Sequence, residues 1–267
     1  MAMLTHRGRR LHYETLGSGQ PVVLIHGFSN FGLSWMQQLP ALVNNGYQAI
    51  VPDLYGHGLS AQAAQITSVE DMADDIHALL EHLDSGPAVL CGLSLGGMIA
   101  LQFALAHPQR TRGLVIANSR ATFAEPHLKE AVANWIAMFE QPGGTTKRFE
   151  AAWPMLLNEA FRQSPSGAAV YEMWAALAAR TEGSSLANVA RGMTSFDVRA
   201  QLGAIEAPTL VVSGEHDKLF PPAHSMEVAD GIAGARFVTI PTAAHISCLD
   251  SAAEFNRLLL GFLKELP

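Results

Sequence analysis

The sequence predicts an α/β protein in which helices cover both faces of a mostly parallel, doubly wound sheet. Two features indicate this fold. Short apolar runs rich in Val, Ile and Leu alternate with segments whose apolar residues recur at helical spacing. Between residues 120 and 201 the strand-like runs stop, and helical segments follow one another across loops that contain Gly, Pro and Ser. We therefore expect a core domain formed by residues 1–119 and 202–267, with residues 120–201 inserted as a helical lid over the carboxyl edge of the sheet.

The composition argues against binding to nucleic acid or membranes. The 267 residues are 49% hydrophobic, which is enough for a large core, and the formal net charge is −7 with no basic run. No apolar stretch approaches the roughly 20 residues of a membrane-spanning helix, and no signal-peptide pattern follows the N-terminus, so we expect a cytoplasmic protein. Cys91 and Cys248 are expected to be reduced and buried, and no metal or cofactor is expected. The sequence leaves the oligomeric state open, with a homodimer among the options.

The first elements of the chain form the edge and the centre of the predicted sheet. Residues 4–16 alternate polar and apolar side chains around Arg-Gly, which predicts an antiparallel hairpin. The runs at 21–25 and 48–54 are continuous and β-branched, as in strands that are covered on both faces. Helices are expected at 34–44, ended by a glycine, and at 68–83, where Ser-x-x-Asp forms a capping box.

The strand predicted at 88–90 and the helix predicted at 95–107 are joined by Cys-Gly-Leu-Ser-Leu-Gly-Gly. A Gly-x-Ser-x-Gly sequence between a strand and a helix is typical of a nucleophile elbow, in which a sharp turn holds a serine beyond the sheet. Gly92 and Gly96 lack a Cβ atom, so the neighbouring backbone can pass close to the turn. The pattern makes Ser94 the candidate nucleophile.

The remaining elements complete the alternation of strands and helices. After the elbow helix we expect a buried strand at 113–119, and after the helical insertion a strand at 208–214. A helix at 222–232 leads to a strand at 236–240, and a final helix runs over 251–263.

Three polar side chains follow the carboxyl ends of predicted strands, where ligands bind in open α/β sheets. They are Ser94, Asp217 and His245, in the chain order expected for a serine hydrolase of this architecture. A serine hydroxyl needs a base, which His245 can supply, and the imidazole needs a carboxylate on its other nitrogen, which Asp217 can supply. Glu215 and Asp250 are the competing acids, with less favourable positions.

A serine nucleophile also needs donors for the oxyanion that forms during attack. Backbone amides suit this role in two places. Phe28 follows the strand at 21–25, and Leu95 opens the helix after Ser94, where the helix N-terminus favours negative charge.

Two further histidines follow strands, but their sequence context favours structural roles. His26 lies in a small-residue loop, and we expect its ring to brace that loop through backbone hydrogen bonds. His57 lies in a glycine-rich turn shortly after Asp53, and we expect it to be structural as well.

These motifs together resemble the α/β-hydrolase family over nearly the whole chain. The resemblance rests on the motifs at residues 26–28, 52–60, 92–98, 214–217 and 244–245. Within the family, residues 92–98, 113–119 and 196–202 are most similar to 3-oxoadipate enol-lactonases and related esterases and lactonases. Those enol-lactonases often carry Asn-Thr-Ala-Ala after the sixth strand, whereas this chain has Asn-Ser-Arg-Ala. Dehalogenases and epoxide hydrolases of the family have an aspartate as nucleophile, so the resemblance with Ser94 argues against those reactions.

The leading hypothesis is a serine-dependent hydrolase of a small carboxylic ester or lactone that works through an acyl-enzyme. One alternative is hydrolysis of a carbon–carbon bond in a ring-cleavage diketone, and another is a non-catalytic receptor for a small molecule. Four side chains are candidates for substrate contacts: Arg120, Met98, Trp135 and Trp153. Arg120 could bind a substrate carboxylate, or it could be an exposed arginine without a part in the reaction.

Overall fold

The computed structural model describes residues 2–267, and within them the strands form one eight-stranded sheet. The strands are β1 (Ala2–His6), β2 (Arg9–Leu16), β3 (Gln20–Ile25), β4 (Tyr47–Pro52), β5 (Ala88–Leu93), β6 (Thr111–Ala117), β7 (Thr209–Gly214) and β8 (Arg236–Ile240). Their order across the sheet is β1-β2-β4-β3-β5-β6-β7-β8. β2 pairs antiparallel with both β1 and β4, and all other neighbours are parallel. The predicted hairpin is therefore the antiparallel edge of a mostly parallel sheet, and the predicted fold class is confirmed.

The helices connect the strands or lie in the insertion. They are α1 (Leu39–Val43), α2 (Val69–His82), α3 (Leu95–Ala106), α4 (Pro126–Phe139), α5 (Gly144–Leu156), α6 (Glu159–Arg162), α7 (Pro165–Arg180), α8 (Gly183–Met193), α9 (Pro222–Gly231), α10 (Ser247–Asp250) and α11 (Ala252–Glu265). The capping box predicted for α2 is present, because Ser68 Oγ accepts the Asp71 N–H and Asp71 Oδ2 accepts the Ser68 N–H, each at 3.1 Å. It satisfies two backbone donors at the N-terminus of the helix.

The sheet separates two apolar cores. Met72 of α2 and Ile99 of α3 lie in the first, and Leu259 of α11 lies in the second with Trp35. All residues of β5 and β7 are buried, as their continuous apolar runs require for strands with a helix layer on both faces. Because helices cover both faces of the sheet, polar side chains can cluster at the carboxyl ends of the strands.

The single helix predicted over 34–44 is instead two short elements. A 3₁₀ turn spans Gly32–Trp35, and α1 begins only at Leu39. Pro40 lies in the first turn of α1 and has no N–H with which to continue an earlier helix. The predicted helix is therefore interrupted before α1.

Residues 120–201 carry helices α4 to α8 and, within the described chain, no strand of the sheet. The two ends of this segment are held together by an isolated antiparallel bridge between Thr122 and Asp197. Next to the bridge, the Phe123 N–H donates to the carbonyl oxygen of Phe196 at 2.7 Å. The segment thus leaves the core and returns to it at one point.

Two further features of the structure concern the cysteines and the lengths of the helices. Cys91 and Cys248 are buried free thiols, as predicted. Among residues 2–267, no helix is both long and apolar enough to cross a membrane.

Candidate active site

Ser94 occupies the turn between β5 and α3 in a backbone conformation that few side chains adopt. Its φ is 55° and its ψ is −115°. Such strain persists only where the surroundings enforce it, and it is concentrated at functional sites. Here the Ser94 N–H donates to the Ala117 carbonyl at 2.9 Å, and Ser119 Oγ donates to the Ser94 carbonyl at 2.7 Å. The backbone of Ser94 is therefore fixed from the neighbouring strand β6.

The glycines of the elbow are required by close backbone contacts. A Cβ atom on Gly92 would lie 2.1 Å from the carbonyl oxygen of Gly96. A Cβ atom on Gly96 would lie 2.0 Å from the carbonyl oxygen of Ile25. The sequence-based reason for these two residues, close passage of neighbouring backbone, is confirmed.

Asp217 and His245 are brought together although 28 positions separate them. His245 Nδ1 lies 2.8 Å from Asp217 Oδ2, and both side chains are buried. The other carboxylate oxygen, Asp217 Oδ1, accepts the N–H groups of Leu219 and Phe220 at 2.9 and 2.8 Å. The carboxylate is thus held by the loop that carries it and is aimed at the imidazole.

Asn118 also holds this carboxylate, and the sequence reasoning did not assign it a role. Its Nδ2 donates to Asp217 Oδ2 at 3.0 Å and to the carbonyl oxygen of Ala244 at 3.1 Å, and its Oδ1 accepts a hydrogen bond of 2.6 Å from Ser247 Oγ. It directly follows β6, at the same sheet edge as Ser94. That position was the available indication in the sequence.

Ser94 and His245 line one cavity of about 260 Å³. Within residues 2–267 no direct hydrogen bond joins Ser94 Oγ to His245, and Nδ1 of this histidine is engaged by Asp217. Among the described residues, the second ring nitrogen, Nε2, has no hydrogen-bond partner and is free to contact a ligand in the cavity.

The two proposed oxyanion donors lie beside Ser94. A Cβ atom on Gly27, which precedes Phe28, would be 3.3 Å from the Cβ of Ser94, so this loop passes directly by the serine. Within the described residues, the backbone N–H groups of Phe28 and Leu95 donate no hydrogen bond to the protein. Leu95 is the first residue of α3, where the helix leaves its N–H groups without partners.

His26 and His57 have the structural surroundings predicted for them. His26 Nδ1 lies 2.8 Å from the carbonyl oxygen of Gly27, and its Nε2 accepts the Leu54 N–H at 2.9 Å, so the ring braces two loops as a neutral imidazole. Burial lowers the pKa of His26 and lowers the pKa of His57 to about 3. The rings are 5.3 Å apart in an edge-to-face arrangement.

The competing acids of the sequence analysis are placed differently. Asp250 Oδ2 accepts the N–H groups of Asn158 and Ala244 at 2.8 and 2.9 Å, and burial raises the pKa of its carboxyl. Glu215 is exposed. Asp217 is the acid in contact with His245.

Of the predicted substrate contacts, Trp135 lines the cavity and three other side chains do not. Met98 is fully buried in the core, and Trp153 packs against the rings of Phe149 and Trp174. These two expectations are corrected, because Met98 packs inside the core and the partly exposed Trp153 packs against neighbouring rings without lining the cavity.

Arg120 is also corrected. The sequence reading allowed either a carboxylate anchor or an exposed arginine, but the side chain is 1% exposed and does not line the cavity. Its Nη2 lies 2.5 Å from Glu125 Oε2, and its guanidinium lies over the rings of Phe123 and Phe220. Glu125 therefore already supplies the carboxylate that pairs with this guanidinium.

The cavity is lined mainly by apolar side chains from the core loops and from α4, α5, α7 and α8. Two basic side chains also line it: Arg148 of α5, which the sequence reasoning missed, and Lys218, next to Asp217. In residues 2–267, no group of three or more His, Cys, Asp or Glu residues is arranged to hold a metal ion.

Comparison with known proteins agrees with this architecture. The sequence matches a family described as alpha/beta hydrolase fold over residues 20–252. A Variovorax paradoxus protein named "Putative carbamate hydrolase RutD" is 32% identical over 259 residues, which are 95% of this chain and 96% of that protein.

Two solved structures are similar over nearly the full length of the chain. A malate-bound thermophilic esterase from Thermogutta terrifontis has a TM-score of 0.89 at 30% identity, covering 98% of this chain and 96% of the esterase. The enol-lactonase from Burkholderia xenovorans LB400 has a TM-score of 0.92 at 26% identity, covering 99% of this chain and all of that one.

Proposed function

The chain belongs to the α/β-hydrolase fold family, and from this premise we propose that it hydrolyses small carboxylic esters or lactones through an acyl-enzyme on Ser94. The observation that carries the proposal is the contact of 2.8 Å between His245 Nδ1 and Asp217 Oδ2, made at the wall of the cavity that Ser94 also lines. A pocket that only binds a ligand has no need for a buried carboxylate behind its histidine.

The first half of the reaction transfers the acyl group to the enzyme. His245 Nε2 accepts the proton of Ser94 Oγ as the oxygen attacks the carbonyl carbon, and the Asp217 carboxylate stabilises the imidazolium that forms. The oxyanion of the tetrahedral intermediate accepts the N–H groups of Phe28 and Leu95. As the intermediate collapses, His245 returns the proton to the leaving alcohol, which stays in the same molecule when the substrate is a lactone.

The second half regenerates the serine. Water attacks the acyl-enzyme while His245 Nε2 accepts one of its protons, and the same N–H groups stabilise the second intermediate. Collapse releases the carboxylic acid and returns the proton to Ser94 Oγ. Hydrogen bonds of this kind commonly shorten only when substrate is bound, which is compatible with the lack of a direct Ser94–His245 bond.

Three observations support an ester or lactone of modest size. The cavity measures about 260 Å³ and presents mainly apolar walls. The strained φ of Ser94 and the tight glycine contacts hold the hydroxyl at the cavity wall. The similar structures include an esterase and an enol-lactonase.

The test is substitution of the nucleophile. We expect Ser94→Ala to lower kcat for short p-nitrophenyl esters by about 10⁴-fold or more while the fold is retained, because the members of a triad act as a unit. Wild-type protein is also expected to react with a fluorophosphonate at Ser94. Peptide mapping provides the internal control, because Ser29 lines the same cavity and is expected to stay unmodified.

A panel of lactones, aryl esters, carbamates and ring-cleavage diketones then defines the reaction. Faster turnover of diketones than of every ester and lactone would replace the proposal with carbon–carbon bond hydrolysis. No turnover of any compound and no labelling of Ser94 would indicate a binding protein instead.

A further inference from the structure

Arg148 is a cation at the cavity wall without a charged partner in the described chain. It lies on α5, and its guanidinium carbon is 4.4 Å from the centre of the Trp135 ring. The side chain is half-buried and its Nε is fully buried, and within residues 2–267 it forms no hydrogen bond and no salt bridge. Stacking on the ring of Trp135 orients the guanidinium but leaves its charge and its N–H donors available.

The two fully buried arginines contrast with the half-buried Arg148. Arg9 Nη2 lies 2.8 Å from Asp75 Oδ1, and Arg120 Nη2 lies 2.5 Å from Glu125 Oε2. Burying a charge without a partner is costly, so a protein retains such a group where something else compensates it. Burial alone lowers the pKa of Arg148 to about 10, so the guanidinium stays protonated at pH 7.

The charges that line the cavity have one sign. Arg148 and Lys218 are the basic side chains among its lining residues, and no aspartate or glutamate in residues 2–267 lines it. This is notable in a chain whose formal net charge is −7. A cavity with two cationic side chains and apolar walls attracts an anionic ligand.

We propose that Arg148 binds a carboxylate of the substrate, so that the enzyme prefers esters or lactones that carry a second, ionised carboxyl group. A planar guanidinium offers parallel N–H donors that match the two oxygens of a carboxylate. The apolar walls strengthen this pairing by excluding water. The inference rests on the proposed function for its catalytic half, while the binding half can be tested separately.

Substrates that differ in one charge test the proposal. The anionic compounds are mono-p-nitrophenyl glutarate, with its carboxylate in the acyl chain, and 4-carboxyphenyl butyrate, with its carboxylate in the leaving group. Their neutral partners are p-nitrophenyl butyrate and phenyl butyrate. With at least one anionic ester, we expect Arg148→Met to reduce the ratio of kcat/KM between the anionic and neutral esters about 10- to 100-fold, mainly through KM.

Two further variants sharpen the result. Arg148→Lys keeps the charge but loses the planar pair of donors, so we expect a smaller reduction of the ratio. Arg180→Met removes the same charge from an exposed position on α7 outside the cavity, and we expect it to leave the ratio unchanged. Thermal unfolding of each variant checks that the fold is retained.

A binding measurement separates this inference from the proposed function. Calorimetry with Ser94→Ala is expected to detect glutarate, and the double variant with Arg148→Met is expected to lose at least tenfold in affinity. If wild-type protein hydrolyses none of the esters but glutarate binds through Arg148, the proposed function fails and the anion site stands. If neutral esters are hydrolysed and Arg148→Met leaves every anionic-to-neutral ratio unchanged, or lowers both rates equally, the anion site is wrong.

Discussion

Asp217 is a buried carboxylate in the loop after β7, Asp250 is a partly buried carboxylate at the end of α10, and their hydrogen bonds differ. Asp217 accepts from two backbone N–H groups and also from Asn118 Nδ2, while its Oδ2 faces His245. Asp250 accepts from two backbone N–H groups through Oδ2, and its Oδ1 has no partner within residues 2–267. The first carboxylate contacts the imidazole, and the second joins two backbone segments.

We therefore expect Asp217→Asn and Asp250→Asn to differ in activity. In Asp217→Asn an amide nitrogen must face either His245 Nδ1 or backbone N–H groups, so kcat is expected to fall about 10³- to 10⁴-fold. In Asp250→Asn the amide oxygen can keep both backbone bonds, and its nitrogen can take the position of the unpartnered Oδ1, so kcat is expected to stay within about threefold of wild type. Steady-state kinetics with one neutral ester make the comparison. Equal losses in both variants would contradict the assignment of Asp217.

From the sequence, candidate site residues that follow strands were easier to identify than candidate site residues on the inserted helices. Ser94, Asp217 and His245 each follow a strand, so the common edge of the sheet brings them near one another before any coordinates are known. Arg148 follows no such rule, because a single basic residue on a helix is usually exposed to solvent. Only the packing of α5 against Trp135 turns it toward the cavity.

At the level of secondary structure, the elbow between β5 and α3 leaves no space for side chains on its glycines. Gly92, Gly96 and Gly97 each approach other atoms more closely than a Cβ atom allows, and the Cβ of Ser119 is the nearest neighbour of Gly97. Gly261 in α11 is the opposite case, since a Cβ there would meet nothing within 4 Å.

These contrasting environments predict opposite effects of one substitution. Gly96→Ala would force a Cβ against the Ile25 carbonyl at 2.0 Å, and we expect a loss of about 3 kcal/mol or more in the free energy of unfolding, or little soluble protein. Gly261→Ala is expected to increase that free energy by about 0.5–1 kcal/mol, because alanine is the better helix former and has space. Urea unfolding of both variants measures the difference. A Gly96→Ala protein as stable as wild type would mean that the elbow relaxes easily.

The interruption of the helix predicted over 34–44 shows why element boundaries were harder to predict than element types. Its apolar spacing is helical, but Pro40 cannot donate the hydrogen bond that a continuous helix needs at that point. The chain therefore turns through a 3₁₀ segment before α1. Periodicity indicates which face is apolar but not where the backbone hydrogen bonds are interrupted.

At the scale of the whole molecule, the order of the strands explains how distant residues meet. β5, β6 and β7 are neighbours and run parallel, so Ser94, Asn118 and Asp217 emerge side by side from the same edge. The alternation of strands and helices predicted a mostly parallel sheet with Ser94 and Asp217 beyond strand ends, but not the order of the strands across it. The fit of α4 to α8 around the cavity was not predicted, because it depends on helix contacts that no sequence period encodes.

The buried histidines link the stability of the whole molecule to pH. The folded-state pKa of His57 is about 3, below its ordinary value of 6.5. The unfolded chain therefore takes up a proton that the folded protein excludes. The stability that the neutral ring provides is fully present above pH 6.5 and is lost as pH falls toward 3.

His26 acts in the same direction, because burial lowers its pKa too. Asp75 acts oppositely: burial raises its pKa to about 7, so its protonation below that pH favours the folded state.

Comparison with His57→Gln isolates one of these groups, since His26 and Asp75 remain in both proteins. Between pH 8 and pH 5, we expect wild-type protein to lose about 2 kcal/mol more unfolding free energy than this variant. Urea unfolding at several pH values in that range measures the difference. His127→Gln is the control, because that side chain is 70% exposed and its imidazole is hydrated in the folded and unfolded states alike. The same pH dependence in wild type and His57→Gln would contradict this prediction. It would mean that water or a proton reaches the His57 ring in the folded protein, although the ring packs against His26 and Phe28.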